Sequence, residues 1–107
     1  MMPKYLYQGS YTLEGIKGLL KDGGSKRRAA AQQALESVGG KVEAFYFTFG
    51  KNDVVAIVDA PDNVSIAAVS LAIAAGGGFR GKTTVILTPE EADQAVKKAV
   101  KYSAPGQ

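Results

Sequence analysis

Residues 41–62, KVEAFYFTFGKNDVVAIVDAPD, constrain the fold more than any other stretch of this chain. Alternation over residues 42–49 puts Val42, Ala44, Tyr46 and Thr48 on one side of a strand and Phe45, Phe47 and Phe49 on the other. Gly50, Lys51 and Asn52 then make a turn from residues that tolerate positive φ. Residues 53–59 form a second apolar strand, and so short a turn makes the pair antiparallel. Pro61-Asp62-Asn63 opens a helix directly afterwards.

The flanking segments complete the order of elements. Residues 4–11 alternate, with Tyr5, Tyr7, Gly9 and Tyr11 on one side, and read as a strand. Thr12 stands at an N-cap position before a short helix with Leu13, Ile16 and Leu20 on one face. Ser25 is placed to cap a second helix, whose buried stripe is Ala31, Ala34, Leu35 and Val38. The helix after Asn63 has Val64, Ala67, Ala68, Leu71, Ala72 and Ala75 as a stripe of period 3.6. Its other side carries Ile66, Val69 and Ile73. Residues 79–87 read as a strand, and Thr88-Pro89-Glu90-Glu91 as a capping box. The last helix presents Ala92, Ala95, Val96, Ala99 and Val100 on one face. A single domain over residues 1–102 with a tail at 103–107 is expected.

The core of this order is the split β-α-β arrangement of ferredoxin-like α+β folds, βαββαβ with an extra C-terminal helix. In that fold the helices cover one face of an antiparallel sheet. A strand with one wet face alternates apolar and polar residues, whereas residues 42–49 are apolar on both sides. Three exposed phenylalanines would leave a large apolar patch. A second copy packed on the open face removes it, which predicts a homodimer. The alternative covering is the last helix of the same chain.

Composition removes whole classes of chemistry. The chain of 107 residues has no cysteine and no histidine. Thiolate catalysis, Cys zinc sites, Cys-ligated clusters, His-ligated haem and imidazole bases are therefore excluded, and neither a metal nor a cofactor is expected. A net charge of +3 is mild for a nucleic-acid binder. No apolar run approaches the ~20 residues of a membrane span, and the start lacks the pattern of a signal peptide. The expected location is cytoplasmic.

The hairpin turn followed by residues 54–62 resembles the GYD-domain proteins of bacteria and archaea. Gly50 and Asp53 occupy the positions of the Gly-x-Tyr-Asp signature, with Asn52 in place of its tyrosine. Tyr11-Thr12 followed by Gly15 is similar to the family's first strand end and helix entry, and Gly39-Gly40-Lys41 to its turn into the second strand. Arg27 or Arg28 lies where such proteins carry an arginine. The resemblance implies the fold of the dimeric α+β barrels and no settled activity. Relatives in that wider group include cofactor-independent monooxygenases, haem enzymes and small-ligand regulators.

Several residues are candidates for function. Tyr5, Tyr7, Tyr11 and Tyr46 offer apolar walls with polar tips for a small-ligand pocket, against the plainer reading as packing. Arg80 and Lys82 are cations that would let those phenols act as acids or donors if they stood close. Ser25, Arg27 and Arg28, at a helix start after two glycines, suit an anion, against a solvated basic turn. Residues 76–83 match G-x-x-x-x-G-K-[ST], but a helix precedes and a strand follows, the reverse of a phosphate loop. Asp53 and Asp59 are too far apart along one strand to act as a pair. A small-molecule-binding or structural domain is the first reading. A metal-free enzyme acting on a small aromatic substrate is the second, and an RNA-binding module a distant third.

Overall fold

The computed structural model describes residues 2–107. Eight elements follow in order: β1 (Lys4–Tyr11), α1 (Leu13–Asp22), α2 (Gly24–Glu36), β2 (Lys41–Phe47), β3 (Val54–Asp59), α3 (Asn63–Gly76), β4 (Phe79–Ile86) and α4 (Pro89–Val96). The strands form one antiparallel sheet in the order β2-β3-β1-β4, with β1 and β3 central. This is the α+β, ferredoxin-like arrangement expected from the sequence, with the additional helix at its C-terminal end.

Register assigns each side chain to a face, because directly opposed residues share one. Tyr5 is paired with Val58 and Val85, and Tyr7 with Ala56 and Thr83, on the helix side of the sheet; Val85, on the edge strand, stays exposed. Leu6 faces Ile57 and Thr84 on the open side. The core is the helix face: Tyr5, Ala56 and Val58 of the sheet pack with Leu35 of α2, Ile66 and Val69 of α3, and Ala60. The Tyr5 hydroxyl donates to Asn63 Oδ1 at 2.7 Å, so its polar tip is satisfied at the start of α3.

One irregularity corrects the expected faces of β2. A bulge between Val42 and Ala44 adds a residue and reverses the alternation on its N-terminal side. Val42, Phe45 and Phe47 therefore share the helix face, opposite Val58, Ala56 and Val54. The two phenyl rings meet edge to face at 5.5 Å, and Phe47 lies against Gly24 of α2. Phe49 falls beyond the strand and is fully exposed. The open face carries no phenylalanine. It presents Leu6, Ala44, Tyr46, Val55, Ile57, Thr84 and Ile86 instead.

The helices also differ from expectation in places. In α3 the buried residues are Ile66 and Val69, with Ile73 partly buried, while Val64 and Leu71 of the regular stripe face outward. A helix apolar all round gives periodicity nothing to choose between. In α1, Leu13 and Leu20 are exposed, and Ile16 and Leu19 turn inward. Ser25 caps nothing: Gly23, at φ 84°, ends α1 and precedes α2. The stripe of α2 matches expectation, with Leu35 buried and Ala31, Ala34 and Val38 partly so. The capping box of Thr88 and Glu91 forms as expected, but α4 stops at Val96, so Ala99 and Val100 lie past its end. Every residue from Ala92 to Gln107 is exposed, so the last helix does not cover the open face of its own chain.

Candidate functional site

The helix layer does not close over the sheet. Between α1 and α2 on one side and α3 on the other lies a cleft of about 470 Å³ whose floor includes Tyr7, Val54 and Ala56. Its size arises from side chains too small to meet across the gap. Gly15 and Gly18 of α1, Ala31 and Ala34 of α2, and Ala72 and Gly76 of α3 line the walls. A cleft of ~300–1,000 Å³, mostly apolar with a few polar groups, is what small-molecule sites have in common.

One end of the cleft is closed by α1 docking on the α3–β4 turn. Thr12 donates through its backbone N to Gly78 O at 3.0 Å and through its hydroxyl to Gly77 O at 2.8 Å. Its hydroxyl also accepts from Gly15 N, capping α1 as the sequence suggests. Gly77 adopts φ 75°, the left-handed conformation that ends α3. The three glycines at 76–78 thus form a turn that receives α1, and β4 comes directly after them. No helix follows to bind phosphate, in keeping with the reversed order of the motif.

An aromatic group lines the same end. Phe79 meets Tyr11 edge to face at 5.0 Å and Tyr7 at 5.8 Å. The Tyr7 hydroxyl lies over Gly81, where a Cβ would come within 2.1 Å of it. Burial pushes the phenols of Tyr5, Tyr7 and Tyr11 above their ordinary value. At Tyr11 the Arg27 guanidinium works in the opposite direction and the Asp53 carboxylate adds to the rise. These phenols are therefore neutral donors and acceptors near pH 7.

The candidate residues divide between two faces. Tyr7 and Tyr11 line the cleft, whereas Tyr5 is sealed in the core beneath it. Tyr46 sits on the open face, opposite Val55, and is largely exposed. Arg80 and Lys82 also point to the open face, opposite Ser10 and Gln8. The sheet separates them from the cleft tyrosines. The cation that does reach the cleft is Arg27. Arg27, Ala31 and Ala34 fall at i, i+4 and i+7 of α2, so a cation on the helix's inner stripe was the signal in the sequence. Arg28 points elsewhere, beside Gln32 and β2, and Ser25 is exposed, so the three do not form one anion site. On the two central strands the open-face residues are Lys4, Leu6, Gln8, Ser10, Val55, Ile57 and Asp59, none an aromatic on which a base could stack.

The hairpin turn joins this site from behind. Asp53 Oδ2 accepts from Tyr11 N at 2.9 Å, and Asp53 N donates to Gly9 O at 2.7 Å. The side chain thus fixes the end of β1 at the residue that lines the cleft and precedes the cap of α1. Gly50 adopts φ 95°, a left-handed conformation that favours glycine. Asn52 keeps its carbonyl on the Thr48 hydroxyl at 2.6 Å and its side chain near Gln8. Asp53→Ala should lower stability by roughly 1–3 kcal/mol, the range for a hydrogen bond to a charged group whose loss strands a half-buried N–H. Urea denaturation checks this, and a loss below about 0.5 kcal/mol would show that the turn holds without it.

Over residues 5–96 the chain matches the family model of the GYD domain. The chain belongs to the GYD-domain family. No curated protein and no solved structure matches it. Within this GYD domain Gly50 and Asp53 have architectural roles. Gly50 makes the turn, and Asp53 ties it to the strand that carries the cleft tyrosines. At the opposite end of the sheet a charged group closes the strand ends. Lys4 pairs with Glu43 and with the nearly buried Asp59, the latter at 2.9 Å. Bonds to those two carboxylates hold the Lys4 ammonium above its ordinary value. Among the described residues no group of acidic side chains is placed to hold a metal ion, and no helix is long and apolar enough to cross a membrane.

Proposed function

We propose that this GYD domain is a cytoplasmic, homodimeric small-molecule-binding protein whose ligand occupies the cleft between the sheet and the helices. The observation that carries the reading is the cleft itself. About 470 Å³ of largely apolar space lies open beside two tyrosines and an arginine, above the core residues Ala56, Val58, Ile66 and Val69. The dimer part rests on the open face. Leu6, Val55, Ile57 and Tyr46 make a neighbouring apolar set that no element of the chain covers. A second copy laid on that face would bury it while leaving both clefts accessible, because they lie on the far sides of the two sheets.

Native mass spectrometry of the protein as purified tests both parts. The expected result is a dimer with a fraction carrying a reproducible extra mass. Ile57→Asp should shift the population to folded monomers, since it places an unpaired carboxylate in the joint between copies. A wild-type monomer would end the dimer reading. Dimers that never carry added mass, either as purified or after incubation with small apolar acids and alcohols, would end the ligand reading.

A further inference from the structure

We infer that the cleft takes an apolar compound bearing a single carboxylate, and that Arg27 grips that carboxylate at the cleft mouth. This rests on the cleft being a ligand site, as proposed above. Arg27 sits in the second turn of α2 with its side chain 37% exposed, at the boundary between solvent and the apolar interior. Its nearest acid is Asp22, at 3.9 Å, too far for a hydrogen bond. Among the described residues the guanidinium donates no hydrogen bond. A planar fork of five donors thus stands half-desolvated with only a loose ion pair to Asp22 and no hydrogen-bonded acceptor, which leaves it able to take a carboxylate in bidentate fashion.

The walls and floor of the cleft define the rest of the ligand. Beyond Arg27 the lining is mainly small and aliphatic, with alanines of α2 and α3, Ile66, Val69 and Ile73, over Val54 and Ala56, so the body of the ligand is apolar. Tyr7, Tyr11 and Phe79 offer ring edges and faces at one end, which suits a planar aromatic group. Glu14 also lines the mouth. Together with Asp22 it opposes a second negative charge, so phosphates and dicarboxylates are disfavoured against a monocarboxylate.

Naphthylacetate and naphthylethanol share one apolar body and differ in the carboxylate, which makes them the probes. Both are titrated into the intact protein and followed by amide NMR shifts. The acid is expected to bind about tenfold tighter than the alcohol, the scale of one charge-assisted pair at a partly wet site. Arg27→Gln should abolish that preference and leave the alcohol unchanged. Arg27→Lys should keep part of it, and Glu14→Gln should raise the affinity for the acid. Equal affinities in the wild type, or a preference that survives Arg27→Gln, would overturn the assignment of the carboxylate while leaving the cleft as a site. Binding of neither probe, or shifts away from β1, α1 and α2, would overturn both.

Discussion

Tyr5→Ala is expected to remove roughly 3–5 kcal/mol of folding stability, the range for truncating a large buried aromatic. Tyr5 is the largest fully buried side chain among the described residues, and both sheet and helices pack against it. Its loss leaves a cavity in a core whose other members, Leu35, Ala56, Val58, Ala60, Ile66 and Val69, are too short to fill it. The hydroxyl matters less. It donates to Asn63, an exposed residue that water can serve instead. Tyr5→Phe should therefore cost only about 0.5–1.5 kcal/mol. Urea unfolding of the two variants separates ring from hydroxyl, provided the slope with denaturant is unchanged. If the two losses were equal, the hydrogen bond and not the packing would be what Tyr5 contributes.

Gly9→Val is the second large effect, and it acts through backbone. Gly9 lies opposite Gly81 in the ladder between β1 and β4. A Cβ at Gly9 would stand 2.0 Å from the Arg80 carbonyl oxygen and 2.7 Å from the Gly81 Cα, and neither can rotate away. The two strands must part, at a cost above the ~1–3 kcal/mol of ordinary overpacking. Against a total stability of about 5–15 kcal/mol, Gly9→Val is expected to populate unfolded protein at room temperature. Gly81→Ala provides the contrast. Its obstacle is the Tyr7 hydroxyl at 2.1 Å, the far end of a side chain that can swing aside. Gly81→Ala should fold, with the Tyr7 ring displaced and its NMR resonances shifted. Thermal melts followed by circular dichroism rank the two, and a Gly9→Val melt near that of the wild type would show that β1 and β4 can separate cheaply.

Much of the architecture is legible in the sequence because its punctuation is local. The hairpin turn at Gly50, the Asp62 cap whose carboxylate accepts from Ser65 N at 2.8 Å, and the capping box at Thr88 are each set by residues within a few positions. Face assignments failed where periodicity carries no information. The bulge between Val42 and Ala44 moved Val42 across the sheet, and nothing in VEAFYF marks an inserted residue. Helix α3 has apolar side chains on every side, so its stripe had no unique direction. The cleft was legible only in pieces. Tyr7 and Tyr11 were visible as a tyrosine face, but much of the wall comes from glycines and alanines of three helices, and a gap leaves no residue type behind. The bond from Asp53 to Tyr11 spans 42 residues of chain, beyond any local pattern.

Helix α1 contains no buried residue. It is held at its start by the carbonyls of Gly77 and Gly78, and it ends at Gly23, whose positive φ favours glycine. Detaching it would break a few hydrogen bonds and uncover only the half-buried Ile16 and Leu19, so its opening free energy belongs toward the low end of the range for this molecule. The cleft's front wall is thus expected to open locally while Tyr5 and the sheet stay folded, which amide exchange would register as weaker protection in α1 than in β1 and β3. The route into the cleft and the stability of the fold are consequently set by different residues.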